Sequence, residues 1–318
     1  MRDDDHQPVL LALRALNLGD LLVAVPALTA LRRGLPAHRI VLATSGWLAP
    51  LVPLLGSVDE LVPVEGLTAP IPVAPGSIDV AVNFHGRGPQ STALLRALHP
   101  LRLIAHAPDV EDGPEWVDGI HERERWTRLV RSAGVPAEAE DVAIAVPEVE
   151  AKVRGASVVN VGAAYRSRRW PVERFAAVAR TLAARGEPVV FTGSGAERPR
   201  ALEAAVLAGV PADSVLAGRI DLPGFAAVIA AAGLVVTADT GAAHLASAYR
   251  VPSVVIFGPA PPEAWGPPST GPHVVLTDAS RRRGDVFADE PDPALLAVSA
   301  ADVLEAISRL DGRRPSMG

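Results

Sequence analysis

Cysteine is absent from the 318 residues, which excludes disulfides, thiolate nucleophiles, iron–sulfur clusters and cysteine-bound zinc. Lysine is almost absent: Lys152 stands alone against 29 arginines. Aromatic residues make up 4% of the chain, so its cores must be aliphatic, and a hydrophobic content of 49% argues against disorder. An excess of positive charge is also missing. With 30 basic and 36 acidic side chains the net charge is −6, which offers no general grip on nucleic acid. Long apolar runs are lacking too. The longest uncharged stretch, residues 40–58, is broken by Gly46, Pro50, Pro53 and Gly56, unlike a membrane-spanning helix. Asp3, Asp4 and Asp5 stand where an export signal would carry positive charge. The expectation is a soluble, cytoplasmic protein that binds no nucleic acid.

What the chain does have is alternation. Residues 9–15 are apolar except for Arg14, the pattern of a strand buried on both faces. Residues 21–35 follow at helical spacing, with Arg32 and Arg33 near the end, where cations suit the helix dipole. Residues 40–44 and 78–83 read as strands, and 121–133 as a charged amphipathic helix. The pattern pauses over residues 135–154. Pro136, Glu138, Glu140, Asp141, Pro147, Glu148 and Glu150 give that stretch the composition of an interdomain connection. Strands are then expected at 157–161, 188–192, 234–238 and 253–257, and helices at 172–185, 225–232, 242–249 and 300–310. The length suits two domains, divided here into 1–153 and 154–318. The fold class expected is α/β, with doubly wound parallel sheets. Residues 1–154 carry all of the −6 net charge and 155–318 none, so the second half is the better host for an anion.

Three loops have the composition for chemistry. Asn17-Leu18-Gly19-Asp20 follows the first strand, where ligand crevices of α/β sheets open. Its single glycine is not the G-x-G-x-x-G of a dinucleotide site, which argues against a dehydrogenase. Asp20 there reads either as the cap of a helix starting at Leu21 or as a general base. Asp239-Thr240-Gly241-Ala242-Ala243-His244 delivers a polar turn from a strand onto a helix start, the setting of a phosphate site. In the third loop Arg166, Arg168 and Arg169 precede Trp170-Pro171, and guanidinium forks suit phosphate oxygens. Nearby, Gly193-Ser194-Gly195-Ala196-Glu197 also follows a strand and suits phosphate or ribose. Asn83, His85, Arg87 and Ser91 cluster near another strand end; these and His121 read either as contacts to a sugar or phosphate on an acceptor or as ordinary polar loop and helix residues.

Taken in order, these segments resemble glycosyltransferase family nine, the heptosyltransferase-like enzymes. The likeness runs from Gly19-Asp20, Pro26-Ala27-Leu28 and Leu31-Arg32-Arg33 through Arg168-Arg169-Trp170-Pro171 to Asp239–His244, Phe257-Gly258-Pro259 and Trp265-Gly266-Pro267. It implies a GT-B fold of two Rossmann-like domains facing across a cleft. Residues 1–153 would take a glycan or glycolipid acceptor and residues 154–318 a nucleotide-diphospho-sugar, with the last helix free to pack back on the first domain. It also implies inverting transfer without metal or cofactor. Asp20 would be the catalytic base. Arg168, Asp239, Thr240, Gly241 and His244 would hold the donor, with Glu197 on its ribose. The acidic groups Asp3–Asp5 and Asp289-Glu290-Pro291-Asp292 are assigned no metal. Two departures stand out: Asn160-Val161-Gly162 where the family usually has His-Pro-Gly, and Arg168 where lysine is common. A nucleotide-sugar epimerase or hydrolase, or a non-catalytic nucleotide-sugar binder, fits the same fold. Peripheral contact with the inner membrane leaflet and the oligomeric state are left open.

Overall fold

The apolar run at residues 9–14 forms a strand because both of its faces are covered: all six residues are buried. In the computed structural model, which describes residues 7–312, the chain divides into two compact units, Met1–Ala145 and Val146–Gly318. The division falls within the proline- and glutamate-rich stretch, a few residues before the expected 153/154 boundary. Asp3, Asp4 and Asp5 lie outside the described residues.

The first unit is a five-stranded sheet of β1 (Val9–Arg14), β2 (Arg39–Thr44), β3 (Glu60–Pro63), β4 (Val80–Asn83) and β5 (Arg102–Ile104). Their order is β3-β2-β1-β4-β5 and all pairs are parallel. Leu10 of β1 sits between Ile40 and Val80. The core gathers Leu11, Leu13, Val41, Ala81 and Leu95. The second unit repeats the plan with β6 (Ser157–Asn160), β7 (Val189–Thr192), β8 (Leu234–Ala238), β9 (Ser253–Ile256) and β10 (His273–Leu276), in the order β10-β9-β8-β6-β7. Its core is built on Val159, Phe175, Phe191, Val236 and Ile256. These are the two Rossmann-like, parallel α/β units of the GT-B class. Among the described residues no helix is long and apolar enough to cross a membrane.

Two local expectations change. The helix read over 21–35 is two helices, Leu18–Leu22 and Val25–Gly34. Pro26 has no N–H to give the carbonyl of Leu22, so one continuous helix cannot form. The Arg198–Ala208 helix is an addition to the elements expected; its Pro199 falls in the first turn, where proline is tolerated. The last helix, Ala300–Asp311, buries Val303, Ala306, Ile307 and Leu310 in the core of the second unit.

Candidate functional site

In a doubly wound sheet the ligand crevice opens beyond the carboxyl ends of the strands, where strand order reverses. In the second unit that point lies between β6 and β8. Asn160, the last residue of β6, is buried there and ties three threonines together. Its Oδ1 accepts from Thr192 Oγ1 at 3.1 Å, and its Nδ2 donates to Thr237 Oγ1 at 3.2 Å and Thr240 Oγ1 at 3.3 Å. Where the family usually has histidine, this chain therefore has an amide that locks the loop ends. Thr240 caps the Gly241–Ala248 helix by accepting from the Ala242 N–H at 3.3 Å. No acidic side chain occupies that helix's first turn, although the carboxylate of Asp239 stands just before its cap.

Arg168 reaches this helix start. Its Nη1 lies 3.2 Å from Oδ2 of the buried Asp239, while its Nε is buried without a hydrogen-bond partner. The carboxylate orients the guanidinium and leaves donor capacity for an anion. Trp170 anchors the same loop: it is fully buried, donates from Nε1 to Val298 O at 2.9 Å and meets Phe175 edge-on. Glu197 ends the turn Gly195–Glu197 and accepts from Ser194 N–H at 2.7 Å. A Cβ on Gly162 would fall 2.3 Å from Glu197 Oε2, so a larger residue there would displace this carboxylate. His244 is buried in the helix, edge-on to Trp265 at 6.5 Å. The structure thus brings Arg168, Asp239, Thr240 and Gly241 to one helix start, and sets Glu197 on the adjoining loop.

In the first unit the reversal lies between β1 and β4, and Asp20 and His85 stand beyond these strands. Asp20 is not the helix cap; Asn17 holds that position, and Asp20 accepts from the Asn17 N–H at 3.3 Å. His85 accepts from the Ala15 N–H through Nδ1 at 3.2 Å, which leaves Nε2 as the protonated nitrogen of the neutral ring. Burial and the Arg14 charge push its pKa down, against a pull upward from Asp20. Asn83 is fully buried. Its amide donates to Ser91 and Thr92, and its oxygen accepts from the His85 N–H, so it holds the loop and has no surface for a ligand. Arg87 is exposed. His121 caps the Glu122–Ser132 helix through Nδ1.

Sequence reasoning missed Arg14, although a lone charge in an apolar strand was its signal. The side chain is 2% exposed. It donates to the carbonyls of Phe84 and Asp20, the latter at 2.8 Å, and its Nη2 is 3.5 Å from the Asp20 carboxylate. Its guanidinium lies over Trp126, 4.7 Å from the ring centroid, and 4.0 Å from Glu122. Glu122 in turn pairs with Arg125 at 2.7 Å, and Arg125 stacks on Trp116. Burial lowers the Arg14 pKa, while Asp20 and Glu122 oppose that shift, and an arginine stays charged.

The family model for glycosyltransferase family 9 (heptosyltransferase) matches residues 119–284. Lipopolysaccharide heptosyltransferase 2 of Escherichia coli is 30% identical over 152 residues, which cover 45% of this chain and 43% of that protein. The chain spans less than half the length of the curated relatives it matches. The crystal structure of a family 9 glycosyl transferase from Veillonella parvula shares the fold, with a TM-score of 0.77 at 20% identity over 95% of this chain and 97% of that one. TibC, an iron-containing dodecameric glycosyltransferase of enterotoxigenic E. coli, shares it less closely, with a TM-score of 0.61 at 15% identity over 96% and 77%. The family match spans more than half of the residues, and the chain belongs to glycosyltransferase family 9.

Proposed function

We propose that the chain is an inverting glycosyltransferase that moves a sugar, a heptose by its likeness to the curated relatives, from a nucleotide diphosphate to a lipopolysaccharide-type glycan. The second unit holds the donor, and the first supplies the base and the acceptor contacts. The observation that carries this reading is Arg168, oriented by Asp239 at 3.2 Å and set at the helix start of Thr240-Gly241. As the glycosidic bond to the donor breaks, negative charge grows on the departing diphosphate. The guanidinium and the first-turn N–H groups are placed for that charge. Glu197 takes the ribose hydroxyls, and His244 contacts the phosphate or sugar. The acceptor hydroxyl attacks the anomeric carbon while Asp20 receives its proton. The Nε2–H of His85, exposed Arg87 and His121 orient the acceptor. An envelope acceptor brings the protein to the inner leaflet as a peripheral visitor.

The first test is calorimetry of ADP, UDP and GDP against the full chain. Arg168→Ala is expected to weaken the preferred diphosphate about tenfold or more, the scale of a lost charged hydrogen bond, and to leave the nucleoside unaffected. Equal losses for both would remove the phosphate role. Turnover of the donor sugar without an acceptor would instead indicate a hydrolase or epimerase.

Metal independence is part of the proposal. Among the described residues no group of three His, Asp or Glu is placed to hold a metal ion. Chelation is expected to leave transfer essentially intact; loss of activity restored by iron or magnesium would overturn that part.

A further inference from the structure

The arginines of the loop before Trp170 do not face one ligand. Ser167 divides them. It is buried and pinned on the 286–292 segment: its N–H donates to Ala288 O at 3.1 Å, its Oγ to Val286 O at 2.6 Å, and its carbonyl accepts from Asp292 N–H at 3.0 Å. On one side Arg168 joins Asp239. On the other, Arg166 and Arg169 line a cavity of about 330 Å³ with Arg200, Pro171, Val172, Glu173 and Pro291. That volume is at the lower end for small-molecule sites.

The cavity gathers three guanidiniums. Arg169 donates from Nε to Ala163 O at 3.3 Å; Arg200 donates from Nε to Val161 O at 3.2 Å and from Nη2 to Trp170 O. Carbonyl acceptors fix a guanidinium without cancelling its charge. Among the described residues none of Arg166, Arg169 and Arg200 makes an ion pair. The lining carries one acid, Glu173, which is exposed; Glu203, Glu173 and Glu197 oppose part of the charge of Arg200 electrostatically and without an ion pair. The Val172–Ala184 helix begins at this wall, and no side chain caps it. Its first-turn N–H groups add to the positive potential, offset in part by Glu173 in the same turn.

We propose that this cavity is a phosphate site separate from the donor diphosphate site. Three guanidiniums and a helix start suit the oxygens of a phosphate better than the two coplanar oxygens of a carboxylate. The ligand is inorganic phosphate or the phosphate of a phosphorylated sugar. This assignment does not rest on the transferase reading.

The test is calorimetric titration of the full chain with inorganic phosphate and with glucose 6-phosphate, each with and without saturating ADP. Saturable binding is expected in both conditions. Arg169→Met should weaken it at least tenfold, and Arg166→Gln, at an exposed side chain that holds no carbonyl, about threefold. Glu173→Gln should strengthen it, and Arg168→Ala should leave it unchanged. Equal affinity for the two ligands assigns inorganic phosphate; tighter binding of glucose 6-phosphate assigns a phosphorylated sugar. Three results overturn the proposal: no saturable binding of either ligand, competition by ADP together with loss in Arg168→Ala, or indifference to both Arg169→Met and Arg166→Gln. If ADP itself fails to bind, the donor reading falls and the phosphate titration still decides this one.

Discussion

Asp20→Asn is expected to bind donor as tightly as the native chain and to transfer sugar about a thousandfold more slowly, within the range attributed to general bases. The substitution keeps the shape of the side chain. The two donors meet different carboxylate oxygens, the Asn17 N–H on Oδ2 at 3.3 Å and Arg14 Nη2 on Oδ1 at 3.5 Å, so the amide keeps the first bond and gives up the longer second. The Leu18–Leu22 helix therefore keeps its start, and only a modest loss of thermal stability is expected. What is lost is the capacity to take a proton. The measurement pairs donor calorimetry with initial rates of transfer; an undiminished rate would remove Asp20 as base, whatever happens to binding.

The second large effect is expected at Arg14. Arg14→Met keeps most of the volume over Trp126 but strips the carbonyls of Phe84 and Asp20 of their donor and leaves Glu122 with Arg125 alone. Breaking a buried, hydrogen-bonded charge network from one side costs about 3 kcal/mol or more. Denaturant unfolding should show that loss in the first unit, with donor affinity in the second unchanged. Arg14→Lys should recover only part of it, because an ammonium cannot serve two carbonyls and two carboxylates with the geometry of a planar fork. A fully stable Arg14→Met variant would show that the network contributes nothing. Full recovery by Arg14→Lys would reduce the role to charge alone.

The sequence by itself determined the elements and the class. Apolar runs such as residues 9–14 and 234–238 must be covered on both faces, and Ala-rich helical stretches between them cover them. The polar, proline-broken stretch around residues 135–154 could join no core, and the division after Ala145 falls inside it. Short edge strands were harder to read. Arg102–Ile104 and His273–Leu276 have few apolar residues or partly exposed ones, and their pairing comes from β4 and β9 rather than from their own pattern. The motifs Gly19-Asp20, Trp170-Pro171 and Asp239–His244 were visible because each needs neighbouring residues in fixed order.

Only the tertiary structure decided what those residues face. Strand order places Asp20 beside His85 and Asn160 beside Thr237 and Thr240, and strand order is not written in local spacing. Three arginines within four positions look alike in sequence, yet the anchoring of Ser167 on residues 286–292 turns Arg168 to Asp239 and leaves Arg166 and Arg169 on the far side. Arg14 becomes a scaffold for Asp20 only because Phe84, Glu122 and Trp126 arrive from distant segments. Periodicity and turn chemistry are local and can be read along the chain. The direction of a side chain is set by partners that only folding brings near.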